Sequence, residues 1–171
     1  AIILAAIADG ESRIKNLLQG EDTLATIRVF QKMGVNIKND GDIIIVKGVG
    51  LHGLSAENPT FYFGNSGTSV RLLSGLLSAQ NFSSQLIGDE SLMKRPMFRI
   101  INPLQKMNAK INCTDLGTLP IKIEGGQKIE GIEYELPIFS AQLKSCLLLA
   151  GLYAEGTTKI IENTPTRDHT E

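Results

Sequence analysis

Three stretches of the chain, residues 1–8, 68–79 and 141–154, are apolar nearly all round and carry few breakers. A helix without a polar stripe has no side to give to water, so all three are expected to be buried on every side. Small residues close each one, and a β-run follows: Ser12-Arg-Ile-Lys-Asn16, Phe82-Ser-Ser-Gln-Leu-Ile87 and Thr157-Thr-Lys-Ile-Ile161. After the first two runs comes a helix of a different kind, with a polar face. Residues 22–33 carry Arg28, Gln31 and Lys32, with Asp22 expected at the N-cap, and residues 96–107 carry Arg99, Gln105 and Lys106, with Pro96 expected at N1. Each ends in a matching phrase, Lys32-Met-Gly-Val-Asn-Ile37 and Lys106-Met-Asn-Ala-Lys-Ile111. Two strands then follow, joined by Asn39-Asp-Gly41 as a hairpin turn in the first case and by the looser segment 114–118 in the second.

The order recurs about every seventy residues, which suits a βαββαβ unit used three times. The expected fold is α/β, one domain over residues 1–171, with units at about 1–50, 58–125 and 130–171, the last cut short. Both ends carry helix signals. The first helix has no N-cap residue before it, and Asp168-His-Thr-Glu171 has the spacing of a capping box, so a helix is expected to open there. Together they suggest a domain taken from a longer polypeptide.

The stretch Phe61-Tyr-Phe-Gly-Asn-Ser-Gly-Thr-Ser-Val-Arg71 passes from a β-run through a small-residue turn into an apolar helix beginning near Thr68. The first amides of a helix lack intrahelical partners, and with the dipole they favour a phosphate or carboxylate. Asn65 and Thr68 add polar side chains, and Arg71, one turn in, carries a planar fork that fits either anion. Alone, the stretch reads equally as a capped helix after a tight turn, with Arg71 on a solvated face. It is neither GxGxxG nor a Walker loop.

Composition narrows the classes. With 42% hydrophobic and 20% charged residues among 171, the chain can bury a good core, and its net charge of −1 gives no basic face for nucleic acid or anionic membrane. The 5% aromatic content offers few stacking platforms for a single strand. Cys113 and Cys146 lack metal-ligand spacing, and both are expected as reduced packing residues in a cytosolic protein without metal or cofactor. The apolar runs fall short of the ~20 residues that span a bilayer, and no basic segment precedes the first as in a secretory signal.

Four phrases in order tie these signals together: Gly64-Asn-Ser-Gly-Thr-Ser-Val-Arg-Leu-Leu73, Gly88-Asp-Glu-Ser-Leu-Met-Lys-Arg-Pro-Met97, Ser140-Ala-Gln-Leu-Lys-Ser145 and Thr166-Arg-Asp-His-Thr-Glu171. With the threefold order they resemble one half of an enolpyruvyl transferase, the two-domain inside-out α/β barrel family, in the branch that acts on shikimate 3-phosphate. The resemblance implies buried helices surrounded by sheets, and a carboxyvinyl transfer from phosphoenolpyruvate to the 5-hydroxyl of shikimate 3-phosphate with release of phosphate. It implies that Asn65, Gly67, Arg71 and Arg95 surround phosphoenolpyruvate, and that Ser140, Ala141, Gln142 and Arg167 hold shikimate 3-phosphate. It places the proton-transfer groups on a second domain absent from this chain, and the enzyme in the cytoplasm. Asp22 matches an acidic position on the same side, His169 stands beside Arg167 in the last phrase, and Lys94 and Lys144 read as either local positive charge or solvated side chains. His52, in a Gly-rich loop, reads as an exposed residue. The alternatives are the UDP-N-acetylglucosamine branch, which keeps a Cys where Glu90 and Ser91 stand here, and a non-catalytic repeat domain serving as a scaffold or RNA-binding surface.

Overall fold

The computed structural model describes residues 1–57 and 59–170. In chain order the elements are α1 (Ile2–Ile7), β1 (Asp9–Lys15), α2 (Glu21–Lys32), β2 (Asn36–Asp40), β3 (Ile43–Val49), β4 (Thr60–Tyr62), α3 (Gly67–Ser78) and β5 (Ser84–Ile87). Then come α4 (Glu90–Met93), α5 (Phe98–Lys106), β6 (Ile111–Asn112), β7 (Ile121–Ile123), β8 (Glu133–Glu135), α6 (Ala141–Gly151) and β9 (Lys159–Ile161). The strand orders repeat with the elements. The first sheet runs β1-β3-β2, and the second runs β4-β5-β7-β6, so that β5-β7-β6 copies β1-β3-β2 with the same antiparallel pairings. The parallel pair β8-β9 copies the parallel pair β4-β5, each connected through a buried helix.

The two kinds of helix behave as their side chains require. Ten of the twelve residues of α3 are buried, and α6 buries Leu143, Lys144, Ser145, Cys146, Leu147, Leu149 and Ala150. By contrast α2 buries the single stripe Ala25, Thr26, Val29 and Phe30, and α5 buries Ile100, Ile101, Pro103 and Leu104. Helix α1 departs from the expectation of complete burial: it packs chiefly on β3 and α2, and Leu4 is 44% exposed. At the centre α3 lies along α6, so close that a Cβ on Gly75 would fall 2.0 Å from the Cys146 carbonyl oxygen. The sheets cover this pair from outside through Phe61, Leu86, Ile121 and Ile123, all buried in the same core.

Several local expectations shift. Gly20, not Asp22, is the N-cap of α2, and no side chain caps that end. The Asp22 carboxylate is engaged by α3 instead, as described below. The hairpin between β2 and β3 turns at Gly41-Asp42, since Asp40 already pairs with Ile43; Gly41 takes φ +67° at the first central position of a two-residue loop. Pro96 is not at N1, because α5 begins at Phe98 after the N-cap Met97. Ahead of it stands the short helix α4, whose N-cap Asp89 accepts a hydrogen bond from the Leu92 amide at 2.8 Å. Helix α6 ends at Gly151 rather than at residue 154. No helix opens at Asp168 within the described residues, and Glu171, the far partner of the expected capping box, lies outside them. The Thr170 hydroxyl is instead 2.6 Å from Ser145 Oγ on α6.

Candidate functional site

Where α2 meets the start of α3, three hydroxyls converge on Asp22. Ser66, the N-cap of α3, accepts from the Ser69 amide at 3.0 Å and donates to the Asp22 carboxylate. Thr26 and Ser69 each donate to the Asp22 carbonyl oxygen at 2.8 Å, and Ser69 Oγ lies 2.6 Å from Ser66 Oγ. Asp22 thus pins α2 to the small-residue turn and gives up capping its own helix. None of Ser66, Ser69 and Thr26 stood out in the sequence as more than ordinary small residues, although Thr26 sits on the buried stripe of α2.

Beside this junction the arginines gather. A Cβ on Gly67 would lie 2.8 Å from Arg95 Nη1 and 3.0 Å from Arg71 Nη1, so both guanidinium groups close over the one residue without a side chain. Arg95 donates to the Asn65 side-chain oxygen. Arg71 is buried, against the solvated reading, and donates through Nη1 to Gln142 Oε1 at 2.9 Å and to the Gly67 carbonyl at 3.4 Å, and through Nη2 to the Pro96 carbonyl at 3.4 Å. Its Nε is buried with no partner. Burial, then repulsion from Arg99 and Arg95, pushes the Arg71 pKa below its ordinary value. The group stays charged at neutral pH, because arginine titrates so far above it. Among the described residues no carboxylate forms an ion pair with Arg71, Arg95 or Arg99.

Gln142 links this cluster to a second one. Its oxygen receives Arg71, and its Nε2 donates to Thr68 Oγ1 at 3.1 Å, which fixes the direction of the amide. Ser140 caps α6, accepting from the Leu143 amide at 3.2 Å. The cap uses only a lone pair of the oxygen, which leaves the hydroxyl proton to donate. A cavity of about 170 Å³ is lined by Ala141, Gln142, Arg167, His169, Thr68, Leu72, Ser145 and Thr170. It adjoins a cleft of about 360 Å³ that shares Thr68, Leu72 and His169 and reaches Asp22 and Ser69.

The turns at the starts of α3 and α6, the approach to α5 and the segment after β9 are therefore brought to one region. Asn65, Gly67, Arg71 and Arg95 form one contact group, Ala141, Gln142 and Arg167 line one cavity, and Gln142 belongs to both. Lys94 remains exposed on the surface. Lys144 is not solvated: it is 4% exposed and donates to Glu162 Oε2 at 2.7 Å. His52 is exposed and meets the Tyr153 ring edge-on at 5.8 Å between centroids, away from this region. Cys146 is fully buried, and burial lifts its thiol pKa to about 12. Among the described residues no cluster of three His, Cys, Asp or Glu could hold a metal ion, and no helix is long and apolar enough to cross a membrane.

Comparison with known proteins bears on the whole chain. The family model for EPSP synthase (3-phosphoshikimate 1-carboxyvinyltransferase) matches residues 1–171. A 3-phosphoshikimate 1-carboxyvinyltransferase of Vesicomyosocius okutanii subsp. Calyptogena okutanii is 56% identical over 171 residues, covering all of this chain and 39% of the relative. One from Legionella pneumophila (strain Corby) is 56% identical over 172 residues, covering all of this chain and 40% of the relative. A solved EPSP synthase from Acinetobacter baumannii superimposes with a TM-score of 0.96 at 53% identity, over 99% of this chain and 38% of that one. The chain spans about two fifths of the length of the curated relatives it matches. The inside-out α/β fold and the threefold order of helices and strands agree with that likeness, and the chain belongs to the EPSP synthase (3-phosphoshikimate 1-carboxyvinyltransferase) family.

Proposed function

We propose that this chain is the shikimate 3-phosphate-binding half of an enzyme that joins phosphoenolpyruvate to shikimate 3-phosphate. In that reaction the 5-hydroxyl oxygen bonds to C2 of phosphoenolpyruvate as C3 takes a proton, and loss of phosphate with a proton from C3 restores the enol ether. Both substrates are polyanions, so the protein must hold two sets of negative charge a bond length apart. Fixed cations and oriented amides do this without covalent catalysis. Arg95 and Arg71, with Asn65 and Gly67, receive phosphoenolpyruvate. Ser140, the amides of Ala141 and Gln142, and Arg167 receive shikimate 3-phosphate. The observation that carries the reading is Gln142, whose one amide touches Arg71 of the first set and Thr68 at the cavity of the second. The groups that move protons belong to a second, cytoplasmic-enzyme domain outside this chain, so the isolated chain binds but does not turn over.

Titration of the chain with shikimate 3-phosphate, followed residue by residue by NMR, tests this. The amides of Ser140, Ala141, Gln142 and Arg167 should shift first, and those of Asn65, Gly67, Arg71 and Arg95 on adding phosphoenolpyruvate. Shifts confined to other surfaces, or phosphate release at a rate near that of the complete enzyme, would refute it.

A further inference from the structure

The first turn of α6 holds more than its own cap. Lys144 stands four residues after Ser140 and Ser145 four after Ala141, so they continue the same helix face. Both are buried, and both reach the segment that follows β9. Lys144 Nζ donates to Glu162 Oε2 at 2.7 Å, the other oxygen of Glu162 accepts from Thr166 Oγ1 at 2.5 Å, and Ser145 Oγ lies 2.6 Å from Thr170 Oγ1. The segment from residue 162 to residue 170 is thus tied at both ends to consecutive residues of α6. Arg167 lies between the ties, one residue beyond Thr166, and lines the cavity with Ala141 and Gln142.

A buried lysine is an expensive anchor. Its ammonium needs a carboxylate, here the partly exposed Glu162, and an ion pair taken out of water is commonly no more stabilising than well-packed apolar residues of similar size. What such a pair supplies here is direction: two charged groups, with a hydroxyl on the far oxygen, fix where residue 166 stops and therefore where Arg167 begins. Resting on the reading of the site above, we infer that Lys144, Glu162 and Thr166 are positioning residues, a latch that holds Arg167 over the start of α6 and so sets the preference for a phosphorylated over an unphosphorylated ligand.

The probes are shikimate 3-phosphate and shikimate, titrated into the 171-residue chain and into K144M/E162M, which replaces the pair by apolar side chains and leaves no unpaired charge behind. The affinity ratio of the two ligands should fall about tenfold or more in the variant, as expected for losing the alignment of one charge-assisted contact. In the ligand-free variant the backbone amides of residues 166–170 should lose order by heteronuclear NOE. Where the double variant fails to fold, T166V decides, since it removes one hydroxyl and keeps the ion pair; its ratio should fall in the same direction by a smaller factor. An unchanged ratio, or equal weakening of both ligands, overturns the inference and leaves a merely structural tie. Failure of the unsubstituted chain to bind shikimate 3-phosphate overturns the inference together with the functional reading.

Discussion

Replacing Gly75 by Ala tests whether the contact between α3 and α6 sets the geometry of the whole site. The added Cβ would sit 2.0 Å from the Cys146 carbonyl oxygen, 2.8 Å from its carbon and 3.2 Å from its Cα. All three are backbone atoms of the buried Cys146 on α6, so no side chain can swing aside. Reaching an ordinary carbon–oxygen separation of about 3.3 Å requires the helices to part by roughly 1 Å. A gap of that size forfeits about a quarter to a half of each dispersion contact it opens, and Leu73, Leu76, Leu77, Leu143 and Leu147 all lie in the shared core. Overpacking of this kind costs about 1–3 kcal/mol, and the many contacts affected put this site at the upper end. Alanine returns about 1 kcal/mol of helix propensity. A net loss of about 2 kcal/mol should lower Tm by roughly 4–8 °C in a chain of this length. Calorimetry or thermal circular dichroism reads it directly. Gly20→Ala is the control: nothing lies within 4 Å of its Cβ and its φ is −86°, so only a weaker N-cap is lost, at under about 1 kcal/mol. The same displacement would pull Gln142 from Arg71, now at 2.9 Å, so anion affinity should fall with stability. A Gly75→Ala chain with unchanged or raised Tm would refute the close packing of the two buried helices.

Three other outcomes follow from particular groups. In the complete enzyme Arg95→Ala should cost about 2–5 kcal/mol in kcat/KM for phosphoenolpyruvate, with Lys recovering only part because the fork is lost; an unchanged kcat/KM removes Arg95 from the site. Hydrogen bonds from Lys144 and then Thr166 hold the Glu162 carboxyl below the ordinary carboxylate range. Its folded pKa is therefore depressed, and its contribution is complete above the unfolded value and lost as pH falls through the folded one. Urea unfolding of the chain and of Glu162→Gln should then show a stability gap at pH 7 that closes in acid, and a gap independent of pH contradicts the pairing. For the thiols, Ellman's reagent should modify Cys113 in the folded chain, slowly because burial and then Asp115 raise its pKa, and reach Cys146 only on unfolding; two equally fast thiols would place Cys146 outside the core.

What the sequence made legible is whatever depends on local pattern. The all-apolar faces of α3 and α6 announced burial, and the polar stripes of α2 and α5 announced helices with one side in water. The repeat of elements followed from their order alone. Features decided across the fold were harder to read. Asp22 carries a good N-cap side chain, but the Ser66 hydroxyl, forty-four residues away, claims it. Lys144 could be read as solvated because its partner, Glu162, stands eighteen residues on, beyond any helical spacing. Strand β6 has two residues, too few for a period of two to register. Helix α4 did carry a signal, Asp89 followed by Glu90 as cap and first-turn acid, but four residues leave no room for helical periodicity.

The electrostatics of the arginine group explain why this part of the fold departs from what stability alone would favour. Arg71 is buried with one nitrogen unpartnered, and its proton is loosened by burial and by two neighbouring arginines. A buried charge without a counter-charge costs stability, yet the partners that the fold offers are neutral: the Gln142 oxygen and two backbone carbonyls. Neutral acceptors orient a guanidinium without cancelling its charge, so the positive potential remains available to an anion. The Asp22 carboxylate accepts the Ser66 hydroxyl at the start of α3, while its backbone carbonyl accepts Ser69, so Asp22 serves as a structural pin. Placing a glutamate at residue 142 would satisfy Arg71 better and would also neutralise the cluster at the point where it meets the Arg167 cavity. Glutamine at that position keeps the two positive regions joined and charged, which is what the proposed pair of polyanionic substrates would require.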